Sequence, residues 1–316
     1  MISLVYITSR IDPKVEWFIS SLDYQTTPDE KENGIEIIFI DRLVDLVNPY
    51  EQEDRRNHFS EAVRGRFKFK HVAPKPSVWQ GSHRITSVDW FAASNARNTG
   101  LVMAQGDHIA FVDDLSVLTS QYWKAMKESV GTGKVTLGAY RKVKELAVDN
   151  GNIVNFVNHP QGIDNRFGYG NDSGPVPCAG NWLYGCSFAC PIQFLIDVNG
   201  SDEECDGMGF EDCILGIRLA NRAIAFQYDR RMLTYESEEA HHLDKVMRRT
   251  DKGVSPNDKS HAILAKAHGS NRAENAHLGL DGIAGLRKIY QETGTIPVPI
   301  SPTHDWYDGQ SIAEMV

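Results

Sequence analysis

The sequence predicts an α/β fold with a Rossmann-like, mostly parallel central sheet that is flanked by helices. Three features predict it: a strand, helix, strand pattern at the start of the chain, a small-residue helix leading into an apolar strand, and two adjacent aspartates ending that strand. Alternation of strand-like runs with helical patterns favours parallel β-α-β units. With 316 residues, 41% of them hydrophobic, the chain can bury a sizeable core.

The opening pattern is the first of these features. Residues 2–8 (ISLVYIT) form a β-branched apolar run, apolar residues at helical spacing follow, and a second apolar run at residues 35–40 closes with Asp41. The right-handed crossover places both strand ends at one sheet edge, so we expect Arg10 and Asp41 to approach each other there. Arg10 suits a diphosphate or base carbonyl, and Asp41 suits a ribose or base donor. Each is equally consistent with a solvated loop charge.

A helix rich in small residues is predicted at residues 92–104, and its backbone should lie close to the sheet. Its small residues recur along one face (Ala92, Ala93, Ala96, Gly100, Ala104). Arg97 lies on this helix, beside the apolar strand that follows. We expect Arg97 to pair with an acid on that strand or to face an anionic ligand. An ordinary surface ion pair is the alternative.

Asp113 and Asp114 end the apolar run at residues 109–112. Ligands of open α/β sheets bind beyond such strand ends. Two carboxylates this close are best tolerated together when a cation neutralises them. Aspartate also favours the turn after a strand, so the pair by itself leaves a turn and a metal site about equally open.

The middle of the chain alternates helix and strand signals. We predict a helix at residues 121–130 and strands at 135–143 and 153–157, joined by the turn sequence DNGN. The glycine-rich stretch at residues 159–180 reads as a long loop. Such a loop is often a functional lid, and a surface loop without a role is the alternative.

The second stretch that points to chemistry is GFEDCILGIRL, at residues 209–219. Glu211 and Asp212 precede apolar residues at helical spacing, so they should occupy the first turn of a helix. The helix dipole stabilises carboxylates there, and that role can be purely structural. A half-buried carboxylate beside an acceptor hydroxyl is also a workable general base, and Gly209 leaves room for a substrate.

Composition narrows the classes of function and the cellular setting. The formal net charge of −9 argues against a broad nucleic-acid or anionic-membrane surface. The five cysteines are odd in number and form no C-x-x-C pair, which favours free thiols in a reducing compartment. No apolar run approaches the roughly 20 residues of a membrane span, and no signal peptide precedes the first strand. These features predict a cytoplasmic protein.

Five motifs occur in a fixed order: TSR after the first strand, an aspartate after the second, ARNTG, FVDDL and GFEDCILGIRL. Over roughly residues 2–229, this order resembles the inverting GT-A glycosyltransferases of family 2 and their galactosyl- and N-acetylgalactosaminyltransferase relatives. The resemblance implies metal-dependent transfer of a hexose or N-acetylhexosamine from a nucleotide-diphosphate sugar, most simply a UDP-sugar. The acceptor would be a hydroxyl of a glycan or another molecule.

The resemblance also implies roles for individual residues. Asp113 and Asp114 would begin a D-x-D element that binds Mn²⁺ or Mg²⁺, and Asp212 would be the base. Glu211 would contact the acceptor or the donor sugar, and Trp182 suits stacking on a sugar face. The implied donor-binding residues follow the first two strands, lie on the small-residue helix or form the acidic pair (Thr8, Ser9, Arg10, Asp41, Arg97, Asp113, Asp114).

One departure from the family pattern concerns the metal. Leu115 stands at the third D-x-D position, so metal affinity would rest on one carboxylate plus an outside ligand. Relatives of this fold often complete the coordination with a histidine after the E-D helix, and His241 is our preferred residue for that role. The neighbouring His242 would face the opposite way on a strand.

Residues 1–239 are predicted to form the GT-A catalytic domain. Residues 240–316 would be a partly helical extension with a proline-containing tail that packs on this domain, or mediates a homo-oligomer. Two other functions stay open. A sugar nucleotidyltransferase would need a glycine-rich, basic loop after the first strand, for which TSRIDPK is a poor match. A catalytically inactive nucleotide-sugar or carbohydrate-binding protein is favoured by Leu115.

Overall fold

The computed structural model describes residues 1–44, 49–77, 88–89, 91–205, 210–238, 240, 248–249, 263–273, 275 and 282–297. Its strands are β1 (Ile2–Thr8), β2 (Ile35–Asp41), β3 (Lys68–Val72), β4 (Val88–Asp89), β5 (His108–Asp113), β6 (Ser116–Leu118), β7 (Val135–Asp149), β8 (Asn152–Ile163), β9 (Val176–Cys178), β10 (Ser187–Pro191), β11 (Phe226–Ser237) and β12 (Arg248–Arg249). Its α-helices are α1 (Val15–Gln25), α2 (Pro49–Val63), α3 (Ala93–Met103), α4 (Tyr122–Ser129), α5 (Ile192–Asp197), α6 (Glu211–Asn221) and α7 (Gly282–Thr293).

The N-terminal half of the sheet is parallel. Strands β3, β2, β1 and β5 lie side by side in that order, with every neighbouring pair parallel. Each connection between them includes a helix, and such a crossover returns the chain to the same end of the sheet. The ends of β1, β2 and β5 therefore meet at one edge, as the sequence predicts.

The other half of the sheet is mixed, so the prediction of a mostly parallel sheet is only partly correct. Strand β10 runs antiparallel to both of its neighbours, β5 and β7, while β11 is parallel to β7. Strands β6 and β9 are antiparallel to β11, and β8 is antiparallel to β7. The chain reaches β10 after β9 and a short 3-10 turn, without a crossover helix, so it enters the sheet from the opposite end.

Helix α3 packs directly on the sheet, as its small residues predict. Ala96 is buried, and a Cβ added at Gly100 would collide with the side chain of Val5 on β1. The small residues thus bring the helix backbone against the strand. This contact places Arg97, one turn away, beside the end of β5.

The β7–β8 hairpin is longer than predicted. Its turn lies where the DNGN sequence predicts it, with Asn150 and Gly151 both in the left-handed region (φ 48° and 78°). Two left-handed residues match the right-handed twist of the flanking strands. Because β8 continues to Ile163, the predicted loop at residues 159–180 starts later, and it includes the short strand β9.

The described parts of the C-terminal extension pack against the rest of the chain. Arg287 on α7 donates a hydrogen bond to the carbonyl of Leu101 (3.0 Å), and Asn199 donates one to the carbonyl of Ala273 (2.9 Å). The domain boundary at residue 239, a homo-oligomer and a cytoplasmic location stay predictions. No helix within the described residues has the length and apolar character that crossing a membrane requires.

Candidate active site

A cleft of about 240 Å³ opens where β1, β5 and β11 end and where α3 and α6 begin. Five carboxylates line it: Asp113, Asp114, Glu211, Glu236 and Glu238. Three cationic side chains line it with them: Arg10, Arg97 and Lys142. Segments far apart in sequence thus place both signs of charge around one opening.

Asp114 is held inside the wall of the cleft by the end of β1. The Thr8 hydroxyl donates a hydrogen bond to Asp114 Oδ2 (2.7 Å), and Arg10 Nε lies 2.9 Å from the same oxygen. Burial raises the pKa of Asp114, although Arg10 and Thr8 oppose that shift. Asp114 is therefore a largely buried carboxylate, 13% exposed, that two neighbours fix in place.

Asp113 faces the cleft more openly, with 35% of its side chain exposed. Arg97 Nη2 lies 3.3 Å from Asp113 Oδ1, and Arg97 Nη1 lies 3.5 Å from Glu211 Oε1. Burial lowers the pKa of Arg97, but the carboxylates of Asp113, Glu211 and Asp212 outweigh burial and raise that pKa above its ordinary value. The Arg97 guanidinium therefore joins the acid pair after β5 to the start of α6.

Glu211 and Asp212 occupy the first turn of α6, as predicted. Only Glu211 lines the cleft; the Asp212 carboxylate accepts hydrogen bonds from the backbone N–H groups of Gly185 (2.9 Å) and Cys213 (2.8 Å). A Cβ at Gly185 would collide with the Arg97 guanidinium. A side chain at position 185 would therefore force the Arg97 guanidinium to move away from its place beside the N–H that donates to Asp212.

Lys142, Glu236 and Glu238 are lining residues that the sequence analysis did not identify. Lys142 on β7 is the cross-strand neighbour of Glu236 on β11. Burial raises the pKa of Glu236 to about 7, with Lys142 opposing the shift. In the structure, buried side chains alternate along β11 at Met232, Thr234 and Glu236, but the sequence MLTYES does not alternate apolar and polar residues, so it gave no period-two signal for Glu236.

Comparison with solved structures identifies the fold. TarS 1-349 of S. aureus in complex with UDP superposes with a TM-score of 0.54 at 15% identity, over 84% of this chain and 64% of that chain. The UDP-GlcNAc complex of TarS 1-349 gives 0.53 at 15% identity, over 84% and 66%. GalNAc-T7 with UDP, GalNAc and Mn²⁺ gives 0.53 at 12% identity, over 84% and 47%.

The chain has the GT-A fold. This confirms the fold that the motif order implies. The matched region is a little under two thirds of the TarS 1-349 chain and about half of GalNAc-T7. No protein-family model and no curated protein sequence matches the chain.

Within this GT-A fold, Asp41 is engaged by other side chains and not directly by Arg10. Arg55 Nη2 donates to Asp41 Oδ1 (2.8 Å) and to the carbonyl of Arg10 (2.7 Å), and His71 Nε2 lies 2.9 Å from Asp41 Oδ2. Burial raises the pKa of Asp41, but His71 and Arg55 outweigh it and leave the pKa below its ordinary value. The structure therefore brings Arg10 and Asp41 near each other, as predicted, but Arg55 bridges them by donating hydrogen bonds to both. These bonds hold the turn after β1 in place.

The remaining predicted residues are divided between the cleft and its surroundings. Ser9 lines the cleft. Trp182, in the 3-10 turn Gly180–Trp182, does not line it; its ring makes edge contacts with Tyr169 (5.1 Å between centroids) and Tyr228 (6.3 Å). Gly209 and His241 lie outside the described residues.

Leu115 cannot supply a metal ligand. Its side chain is buried, its φ is 62°, and its N–H faces the Tyr6 hydroxyl and the Pro13 carbonyl, each at 3.3 Å. Within the part of the chain that the structure describes, no three His, Cys, Asp or Glu side chains are grouped to hold a metal ion. Of the five carboxylates that line the cleft, Asp113 is the most exposed, at 35%. This set fits Mg²⁺ or Mn²⁺ bound through one or two carboxylates and substrate phosphates, and does not fit an all-protein cage.

Proposed function

We propose that this chain is a metal-dependent inverting glycosyltransferase, which moves a hexose or N-acetylhexosamine from a UDP-sugar to an acceptor hydroxyl. The observation that carries this proposal is the pair of contacts from Arg97 to Asp113 and Glu211 in one cleft. The UDP and UDP-GlcNAc complexes of TarS and the UDP complex of GalNAc-T7 support a nucleotide-sugar donor. The Mn²⁺ of GalNAc-T7 supports a divalent cation.

The donor diphosphate would bind between the ends of β1 and β5. Arg10 and Arg97 would stabilise the negative charge that develops on it as the sugar leaves. Asp113 would hold Mn²⁺ or Mg²⁺, and such an ion supplies further neutralisation of the leaving group. Thr8 and Arg10 keep Asp114 in place beside this position. A contribution of His241 to the metal stays a prediction.

The acceptor would approach from the side of α6. Asp212 would remove the proton from the acceptor hydroxyl as this oxygen attacks the anomeric carbon. Two backbone N–H groups orient the Asp212 carboxylate, so it does not have to reorganise during the step. Glu211 would contact the transferred sugar or the acceptor, and Trp182 and Gly209 would belong to the acceptor side. A single displacement inverts the configuration at that carbon.

A panel of UDP- and GDP-sugars tests the proposal directly. We expect slow release of UDP from one UDP-sugar in the presence of Mn²⁺, even without an acceptor. Asp212→Asn should retain UDP binding and lose transfer once an acceptor is known. Formation of pyrophosphate would indicate a sugar nucleotidyltransferase instead.

An inactive nucleotide-sugar-binding protein is the second candidate. The buried Leu115 at the third D-x-D position favours it, because this position offers no oxygen ligand. Tight UDP-sugar binding without nucleotide release, over the whole panel and with both Mn²⁺ and Mg²⁺, would support this candidate and exclude the enzyme.

A further inference from the structure

The three cationic side chains of the cleft differ in how far they are available to a ligand. Only 7% of the Arg10 side chain and 5% of the Arg97 side chain is exposed, and each contacts a carboxylate of the wall. The Lys142 side chain is 33% exposed. Lys142 is therefore the cation of this set that can reach an incoming anion with little rearrangement.

Lys142 lies beside two acids, Glu236 on β11 and Glu238 directly after it. Its Nζ lies 3.1 Å from Glu238 Oε1 and 3.9 Å from Glu236 Oε2. Burial lowers the pKa of Lys142, but the two glutamates outweigh burial and raise that pKa above its ordinary value. The ammonium group is thus a permanent positive charge in the cleft, held by partners on one side.

The charge balance of the cleft makes such a cation useful. Five acidic and three basic side chains line the cleft, and the acids still outnumber the cations when Glu236, whose pKa is raised to about 7, is left out, so a diphosphate that enters meets a net negative wall unless cations turn toward it. Leu115, at the third D-x-D position, supplies no oxygen ligand to a metal. A side-chain cation would compensate for part of that loss, since a lysine binds phosphate as a mobile point charge.

We propose that the Lys142 ammonium binds the diphosphate of the donor directly, exchanging Glu238 for a phosphate oxygen, and gives the cleft a metal-independent component of diphosphate binding. The identity of the ligand as a nucleotide diphosphate rests on the proposed function. The exchange replaces a carboxylate contact of the ammonium group with a phosphate contact, so Lys142 keeps an anionic partner throughout.

Binding of inorganic pyrophosphate, UDP and uridine, measured by calorimetry in EDTA and in Mn²⁺, tests the role of Lys142. The variants are Lys142→Met and Lys142→Gln, whose folding is checked by thermal unfolding. Lys144→Met is the matched control, because Lys144 lies on the same strand, is 65% exposed and does not line the cleft. Uridine is the control ligand, since it lacks phosphate.

The wild type should bind pyrophosphate and UDP in EDTA, and both Lys142 variants should bind them about tenfold more weakly. Uridine affinity should not change, Lys144→Met should match the wild type, and Mn²⁺ should restore part of the lost UDP affinity. Unchanged pyrophosphate affinity in the Lys142 variants would overturn the inference and leave the proposed function intact. Binding of UDP by the wild type only in the presence of Mn²⁺ would also overturn the inference and leave the proposed function intact. Failure of the wild type to bind UDP under any condition would overturn the proposed function itself.

Discussion

Asp113 and Glu211 both contact the guanidinium of Arg97, at 3.3 Å and 3.5 Å. One residue ends β5 and the other begins α6, so a single buried cation joins the two segments that the proposed mechanism requires. The donor side and the acceptor side of the cleft are thereby fixed relative to each other. Substitutions around this cation should affect ligand binding and stability together.

Arg97→Met should weaken UDP binding by about tenfold or more, since a charge-assisted contact is lost and two carboxylates keep their charge without it. The free energy of unfolding should fall by about 3 kcal/mol, because a buried pair is broken. Calorimetry with UDP and urea unfolding measure the two effects. Arg64→Met removes the same charge at a side chain that is 76% exposed and should change neither. Full UDP affinity in Arg97→Met would contradict the assignment.

Gly185→Ala should reduce sugar transfer strongly while leaving the fold intact. The added methyl group would displace the Arg97 guanidinium and shift the N–H that Asp212 accepts. A small displacement of catalytic groups can lower the rate about 100-fold. Gly168→Ala is the matched control, because a Cβ there meets nothing within 4 Å. Equal nucleotide release by the two variants would show that position 185 tolerates a side chain.

Leu115→Asp restores the residue type of the family motif but should not restore a metal ligand. The side chain at 115 is buried, so the new carboxylate would lose solvent without gaining a cation. We expect a loss of about 3 kcal/mol or more in the free energy of unfolding and no gain in Mn²⁺ affinity. Leu115→Asn, which carries no charge, should destabilise less. Leu115 borders the cleft, so tighter Mn²⁺ binding by Leu115→Asp would show that a carboxylate at this position reaches the metal and would contradict the prediction.

Glu236→Gln should change how stability depends on pH. Burial raises the pKa of Glu236 from 4.5 to about 7, so between these values the folded protein keeps a proton that the unfolded chain has released. The wild type should therefore lose stability, relative to Glu236→Gln, as the pH rises from about 4.5 to 7, by at most about 3 kcal/mol. Above pH 7 the difference should be constant. Urea unfolding at several pH values in EDTA measures it, and parallel stability curves would contradict the shift.

Much of the fold could be predicted from local patterns in the sequence. The β-branched run of β1, the small residues of α3 and the acids at the start of α6 each have a local physical cause, and the structure confirms all three. No local pattern in the sequence determines the direction of β10. Whether a strand runs parallel or antiparallel depends on the path of the preceding chain, and the short run SFACP carries no information on that path.

The sequence predicted only those residues of the candidate site that local patterns mark. Asp113, Asp114 and Glu211 follow strand-end and helix-start signals, so their places in the cleft follow from the fold. Glu236 was missed because the sequence YESEEAHH looks like an acidic loop, although β11 continues to Ser237. Lys142 lines the cleft because β7 pairs with β11, which places Lys142 opposite Glu236. The pairing of two strands that are distant in sequence cannot be predicted from either strand by itself.

The most direct measurement is the anomalous diffraction of crystals soaked in UDP and Mn²⁺. The account predicts a manganese peak bonded to a carboxylate oxygen of Asp113, with the UDP diphosphate between Arg97 and Lys142 and the distal phosphate turned toward α6. A bound nucleotide elsewhere on the molecule, with no manganese at Asp113 and an empty cleft, would contradict it.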